Sequence, residues 1–270
     1  MSSSVISTDG ARIAFSVTGT GPALVIVDGA MGYRQFNPTE QVIAQALADR
    51  YTVYTYDRRG RGESGDAASY SVQAEIDDIA ALIEHAGGQA ALLGFSSGAV
   101  LVLEAALAGL PVTGLALYEP PFVVTDDRRP IGPDYRERLQ QAVAEGRPGD
   151  AVAQFLTEAA YMPAEFVEPM RAEPYWAGME QLAPTLAYDA AIMGRTMSGD
   201  PAELRRYAPV TTPTLVLYGG ASTPWLAAGA TTIAGILPNA DLKSLPDQTH
   251  DVSPEVLVPA LSDWLPTLKA

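Results

Sequence analysis

The chain has 270 residues and no cysteine, which excludes disulfides, thiolate metal sites and a cysteine nucleophile. Its formal charge of −15, with no dense Lys/Arg run, argues against a nucleic-acid partner, and its two histidines, His85 and His250, are too few for a histidine-rich metal site. With 47% hydrophobic and 18% charged residues the composition is ordinary for a globular enzyme, and the length suits a single α/β domain better than two independent ones.

The opening Met1-Ser2-Ser3-Ser4-Val5 has no basic segment leading into an apolar stretch, so no signal peptide is expected. No apolar run reaches the length of a membrane span, so the expectation is a cytoplasmic enzyme without a membrane partner. Residues 5–6 and 12–17 flank the turn signal Asp9-Gly10 and predict a hairpin. Residues 23–27 form an apolar, β-branched run between Gly21-Pro22 and Asp28-Gly29, the pattern of a strand buried on both faces of a parallel sheet. A helix follows over 39–50, a strand over 51–56, and a helix capped by Ser71 that runs to about Glu84. Residues 89–93 predict another buried strand, 99–107 a very apolar central helix and 112–118 a further strand. From 121 to 209 the chain carries helical segments and prolines but no convincing strand, the best helices covering 134–145, 150–160 and 185–197. The sheet resumes at 214–218, and segments 225–237, 241–245 and 254–265 complete the alternation. The expected fold is a mostly parallel sheet covered by helices on both faces. Residues 1–120 and 210–270 form the core, and 121–209 form an inserted helical cap.

The chemistry is concentrated in Gly94-Phe95-Ser96-Ser97-Gly98, which sits between an apolar strand and an apolar helix. In such a strand-to-helix turn the serine occupies a strained backbone position and its hydroxyl stands clear of the sheet. The residues two before and two after must be small, and the next N–H, that of Ser97, points toward a developing oxyanion. The context of strand and helix raises a weak pentapeptide match to a specific one.

On these residues the chain resembles the α/β-hydrolase family over nearly its whole length. The segment Asp57-Arg58-Arg59-Gly60-Arg61-Gly62-Glu63-Ser64 is similar to a structural loop of that family, braced by Asp57 and the arginines. The resemblance implies Ser96 as nucleophile and His250 as its base, since Gln248-Thr249-His250-Asp251-Val252 stands in the loop between the last strand and the last helix. It also implies that the second oxyanion donor is the N–H of Ala30, in Asp28-Gly29-Ala30-Met31, where the family usually has His-Gly. The acid departs from the commonest pattern. Ser222 stands where an aspartate is expected after strand 214–218, and a serine holds no negative charge. Some haloalkane dehalogenases of this fold draw the acid from the end of the strand that follows the nucleophile helix. In this chain that strand ends Leu117-Tyr118-Glu119-Pro120-Pro121, so Glu119 is the candidate. Asp251, Asp247 and a serine–histidine dyad remain open. Ser96 stands where haloalkane dehalogenases and epoxide hydrolases place an aspartate, which implies acyl chemistry instead.

Aromatic and methionine residues gather in the inserted block and suggest an apolar roof over the site, although a packing core of the block itself reads as well. Met31, Tyr161, Trp176 and Trp225 are the candidates for substrate contact, while Arg171 and Arg195 read as solvated helix faces. The leading expectation is hydrolysis of a carboxylic ester or thioester of a small to medium apolar molecule through an acyl-enzyme. Alternatives that use the same site are carbon–carbon bond hydrolysis, acyl transfer, perhydrolysis, and a lyase or cyclisation step. A non-catalytic ligand receptor is the third reading, invited by Ser222. No cofactor and no metal are implied, and the sequence is compatible with a homo-oligomer.

Overall fold

A computed structural model describes residues 3–268. Met1 and Ser2, which belong to the N-terminal reading above, lie outside the described residues. Among the described residues eight strands form one sheet: β1 (Ser3–Ile6), β2 (Arg12–Thr18), β3 (Ala23–Val27), β4 (Thr52–Tyr56), β5 (Ala90–Phe95), β6 (Val112–Tyr118), β7 (Thr214–Gly219) and β8 (Ala240–Leu245). Their spatial order is β1-β2-β4-β3-β5-β6-β7-β8. The first hairpin and the β2–β4 pair are antiparallel, and every later pair is parallel.

The strand sequences explain why both faces are covered. Successive side chains alternate between faces, so a run that is apolar at every position needs a partner layer on each side. Val25, Val27, Leu92, Leu115, Leu117 and Val216 pack toward one layer. That layer includes α2 (Val72–His85), α3 (Ser97–Leu107) and α8 (Pro224–Ile236). Leu24, Ile26, Leu93, Leu215 and Leu217 pack toward the other, built on α1 (Pro38–Leu47) and α9 (Pro254–Trp264). Helix α3 is apolar on nearly its whole circumference and almost wholly buried, as a helix at the centre of a layer must be. Truncating one of its buried leucines, such as Leu101→Ala, removes about 2–5 kcal/mol. Ser71 caps α2 by accepting the Ala74 N–H at 3.2 Å. Helix α1 stops at Leu47 rather than Arg50, because the chain turns there to place Tyr51 in the apolar layer and to pair the Thr52 N–H with the Pro22 carbonyl.

Between β6 and β7 the chain leaves the sheet, and no strand occurs there among the described residues. The segment holds α4 (Tyr135–Ala144), α5 (Pro148–Gln154), a π-helical turn (Phe155–Ala159), α6 (Ala164–Met170) and α7 (Trp176–Met193). It has its own apolar cluster around Leu139, Val152, Leu156, Trp176 and Leu186. Helix α7 begins at Trp176, about two and a half turns before the expected start at Thr185, with Pro184 inside it. Proline removes one intrahelical bond, but packing of Leu182, Ala183 and Leu186 on either side holds the helix through it.

Candidate active site

Ser96 lies between β5 and α3 with φ +53° and ψ −123°, a conformation that costs an L-residue on the order of 1–3 kcal/mol. Close packing enforces it. A Cβ on Gly94 would sit 2.5 Å from the Ala99 Cα, and one on Gly98 would sit 2.3 Å from the Val27 carbonyl oxygen. The Ser96 N–H donates to the Tyr118 carbonyl at 2.9 Å, and the side chain is left at the rim of the sheet facing a cavity.

Glu119 follows β6 directly, fully buried and also at positive φ, +45°. One carboxylate oxygen lies 2.7 Å from His250 Nδ1, and the other accepts the Gly219 N–H at 2.7 Å. A bond from a β7 backbone amide and one from the imidazole therefore hold both oxygens of a buried carboxylate. Asp247 and Asp251 are exposed and make no hydrogen bond to the ring, and Ser222 Oγ is buried without a hydrogen-bond partner among the described residues. His250 and Ser96 line the same cavity, and Ser96 Oγ makes no hydrogen bond to the imidazole among the described residues.

The loop after β3 is braced from two directions. Asp28, where the family usually has histidine, accepts the Gly29 N–H at 2.8 Å and the Asn37 amide at 3.1 Å. Burial raises its carboxyl above the usual value, against those two bonds and the charges of Arg61 and Arg58. Arg61 donates to the Gly29 and Gly32 carbonyls. The Gly29 carbonyl and the Ala30 N–H belong to one peptide unit, so Arg61 sets the direction of that N–H. Neither the Ala30 nor the Ser97 N–H donates to another described residue. Around this loop Arg58 pairs with Glu75 at 2.7 Å and Arg59 with Asp78 at 2.8 Å, both fully buried.

The cavity measures about 840 Å³ and includes Ala30, Ser96, Ser97, Trp225 and His250 in its wall. Met31, Tyr161 and Trp176 are not part of that wall. Met31 and Trp176 are spent in the apolar cluster of the helical segment, and the Trp176 indole N–H bonds Glu180 at 3.1 Å. Tyr161 is 43% exposed and lies over Arg128, whose guanidinium also stacks on Trp225 at 4.4 Å. Burial lowers the Arg128 pKa to about 10. Two cavity residues carried no sequence signal. Asp189, from α7, accepts from Ser97 Oγ, Arg58 and Arg61. The side chain of Arg136, from α4, makes no hydrogen bond or ion pair among the described residues. Also among the described residues, no cluster of His, Cys, Asp and Glu is arranged to hold a metal, and no helix is long and apolar enough to cross a membrane.

A sequence profile of the Alpha/beta hydrolase family matches residues 25–260. The chain is 38% identical over 100 residues to the uncharacterized hydrolase YraK of Bacillus subtilis (strain 168), a match that spans 35% of each protein. An alpha/beta hydrolase from Sphaerobacter thermophilus DSM 20745 superposes with a TM-score of 0.88 at 46% identity, covering 97% of this chain and 100% of that one. A thermophilic esterase from Thermogutta terrifontis, solved with malate bound, superposes with a TM-score of 0.72 at 26% identity, covering 98% of both chains.

Proposed function

The chain belongs to the alpha/beta hydrolase family, and from that premise we propose that it is a serine hydrolase that cleaves a carboxylic ester or thioester through an acyl-enzyme. The observation that carries this reading is the 2.7 Å contact of His250 with buried Glu119, beside a serine held on a strained elbow in the same cavity wall. Glu119 fixes the Nδ1–H tautomer, which leaves Nε2 as the base. As substrate enters, His250 closes on Ser96 and takes the Oγ proton while Oγ attacks the acyl carbon. Apo sites commonly tighten in this way on binding. The tetrahedral oxyanion is received by the N–H groups of Ala30 and Ser97. The imidazolium returns its proton to the departing alcohol or thiol, and Ser96 is left acylated. A water then loses its proton to His250 and attacks the acyl carbon. The carboxylic acid departs and Ser96 recovers its proton.

The helical segment acts as a lid over the cavity, and Trp225 contributes to the apolar wall that holds the substrate. The esterase activity named for the Thermogutta terrifontis neighbour favours ester cleavage over the other reactions open to such a site. Glu119 supplies the carboxylate whose absence at Ser222 would otherwise suggest a non-catalytic receptor. The test is reaction with a serine-reactive fluorophosphonate, read by intact mass, alongside Ser96→Ala and a panel of simple esters. One adduct on the wild type, none on the variant, and turnover of several esters is the expected result. No adduct on folded wild-type protein overturns the reading.

A further inference from the structure

We infer that Arg136 is an anion-binding group of this pocket, and that the substrate is an ester or thioester carrying a free carboxylate remote from the scissile bond. The inference rests on the hydrolase reading for the words ester and thioester, and on geometry for the anion site. Arg136 stands in the first turn of α4 and lines the same cavity as Ser96 and His250. It is half-buried, its Nε is shielded from solvent, and its side chain has no hydrogen-bond partner among the described residues. A ligand in the cavity does not reach that shielded nitrogen; it meets the two terminal Nη groups, which bond no described residue, and the planar fork they form suits a carboxylate.

The other charged groups on the wall are accounted for differently. Asp189 is satisfied by Arg58, Arg61 and Ser97, and His250 by Glu119. Arg195 pairs with Glu203 at 2.7 Å and is 79% exposed, so it is solvated and neutralised. Glu137 also lines the cavity but is exposed to water, and adjacent positions on a helix point about 100° apart, so it does not face Arg136. The same cavity wall holds Ile131, Phe155, Met193 and Met197, an apolar surface suited to methylenes. A flat guanidinium beside an apolar wall, in the cavity that holds the proposed reacting serine, matches a carboxylate joined to the acyl centre by a short hydrocarbon chain.

The experiment measures binding without turnover. Monomethyl adipate and monomethyl suberate are titrated against methyl hexanoate and methyl octanoate in the Ser96→Ala chain, with and without Arg136→Gln, by calorimetry. The half-esters are expected to bind more tightly than the neutral esters, and Arg136→Gln is expected to weaken them on the order of ten- to a hundredfold, the value of a charge-assisted hydrogen bond. The neutral esters should change by less than about twofold, since they make only apolar contacts there. Arg136→Lys should fall between, because it keeps charge and loses the fork. Equal losses for both ester classes, no loss for the half-esters, or no half-ester binding in the parent chain would overturn the inference. Fluorophosphonate labelling of Ser96 in the Arg136→Gln chain reads the hydrolase reaction separately. Half-ester binding that depends on Arg136 in a chain that never labels would keep the anion site and remove the reaction.

Discussion

Ser97 Oγ donates a 2.7 Å hydrogen bond to Asp189 Oδ1, joining the first residue after the elbow to helix α7 of the segment above the sheet. The same carboxylate accepts Arg58 at 2.8 Å and Arg61 at 2.6 Å, and Arg61 in turn holds the Gly29 carbonyl. One acidic side chain of the helical segment thus ties the elbow to the loop after β3, the two places that hold Ser97 and Ala30, whose N–H groups donate to no other described residue.

Asp189→Asn should therefore cost more than a surface change. It leaves two buried guanidinium groups short of a counter-charge, and breaking a buried pair in this way costs about 3–5 kcal/mol. Urea denaturation of both proteins measures it. Burial opposes ionisation of Asp189, but Arg61 and Arg58 outweigh it and hold the carboxyl below its usual 3.8. The folded state then binds fewer protons than the unfolded chain in the window just below that value. The stability contributed by Asp189 is full above the window and is lost as pH falls through it. The difference between wild type and Asp189→Asn should be flat near neutral pH and shrink in acid. A difference that stays constant to low pH would contradict the ion-pair account.

Arg61→Lys keeps a positive charge beside Asp189 but cannot hold Asp189 and the Gly29 carbonyl with the same planar group. If the Ala30 N–H receives the oxyanion, kcat should fall about ten- to a hundredfold with KM little changed, the pattern of a transition-state contact. Steady-state kinetics on one ester checks this, and a rise in KM alone would assign Arg61 to substrate binding instead.

Glu119→Gln is nearly isosteric, and its amide oxygen can still accept the Gly219 N–H, so the fold should survive. Without the carboxylate the imidazole loses its preferred tautomer and the partner for its charged form. Loss of kcat by about three to four powers of ten is expected. Unchanged turnover would remove Glu119 from the mechanism.

Glu40 in α1 is buried, and neither of its carboxylate oxygens has a hydrogen-bond partner among the described residues. Burial and the nearby charges of Asp28 and Asp57 push its carboxyl well above the usual 4.5, against Arg34. A raised acid binds more protons folded than unfolded, so its contribution to stability falls as pH rises from the unfolded value through the folded one. Glu40→Met, which conserves volume and removes the unpartnered buried carboxyl, should stabilise the protein by about 1–3 kcal/mol at neutral pH and by progressively less in acid. Thermal melts of both proteins across that range provide the measurement, and a destabilised variant at neutral pH would contradict it.

Much of the architecture is written locally. The run Ala23–Val27 is apolar at every position because both faces of β3 are covered, and Ser71 marks the start of α2 because its hydroxyl satisfies a free helix N–H. The boundaries of α1 and α7 were less legible. Tertiary packing ended the first at Leu47 and carried the second through Pro184, against what neighbours in sequence suggest. Met31 and Trp176 illustrate the same limit for the site, since an aromatic or methionine in a helical block looks alike whether it faces a cavity or its own core.

By itself the sequence determined the strand–helix alternation and the tight turn around Ser96, because both follow from contacts within a few residues: side-chain period, glycine at two crowded positions, and a strand delivering into a helix N-terminus. Only the tertiary structure decided which carboxylate meets His250, 131 positions away, which acidic group joins Ser97 to α7 across 92 positions, and that the Arg136 side chain stands in the cavity with no partner among the described residues. Charge pairing depends on distance in space and on what else has been desolvated nearby, and neither quantity exists until the layers have packed.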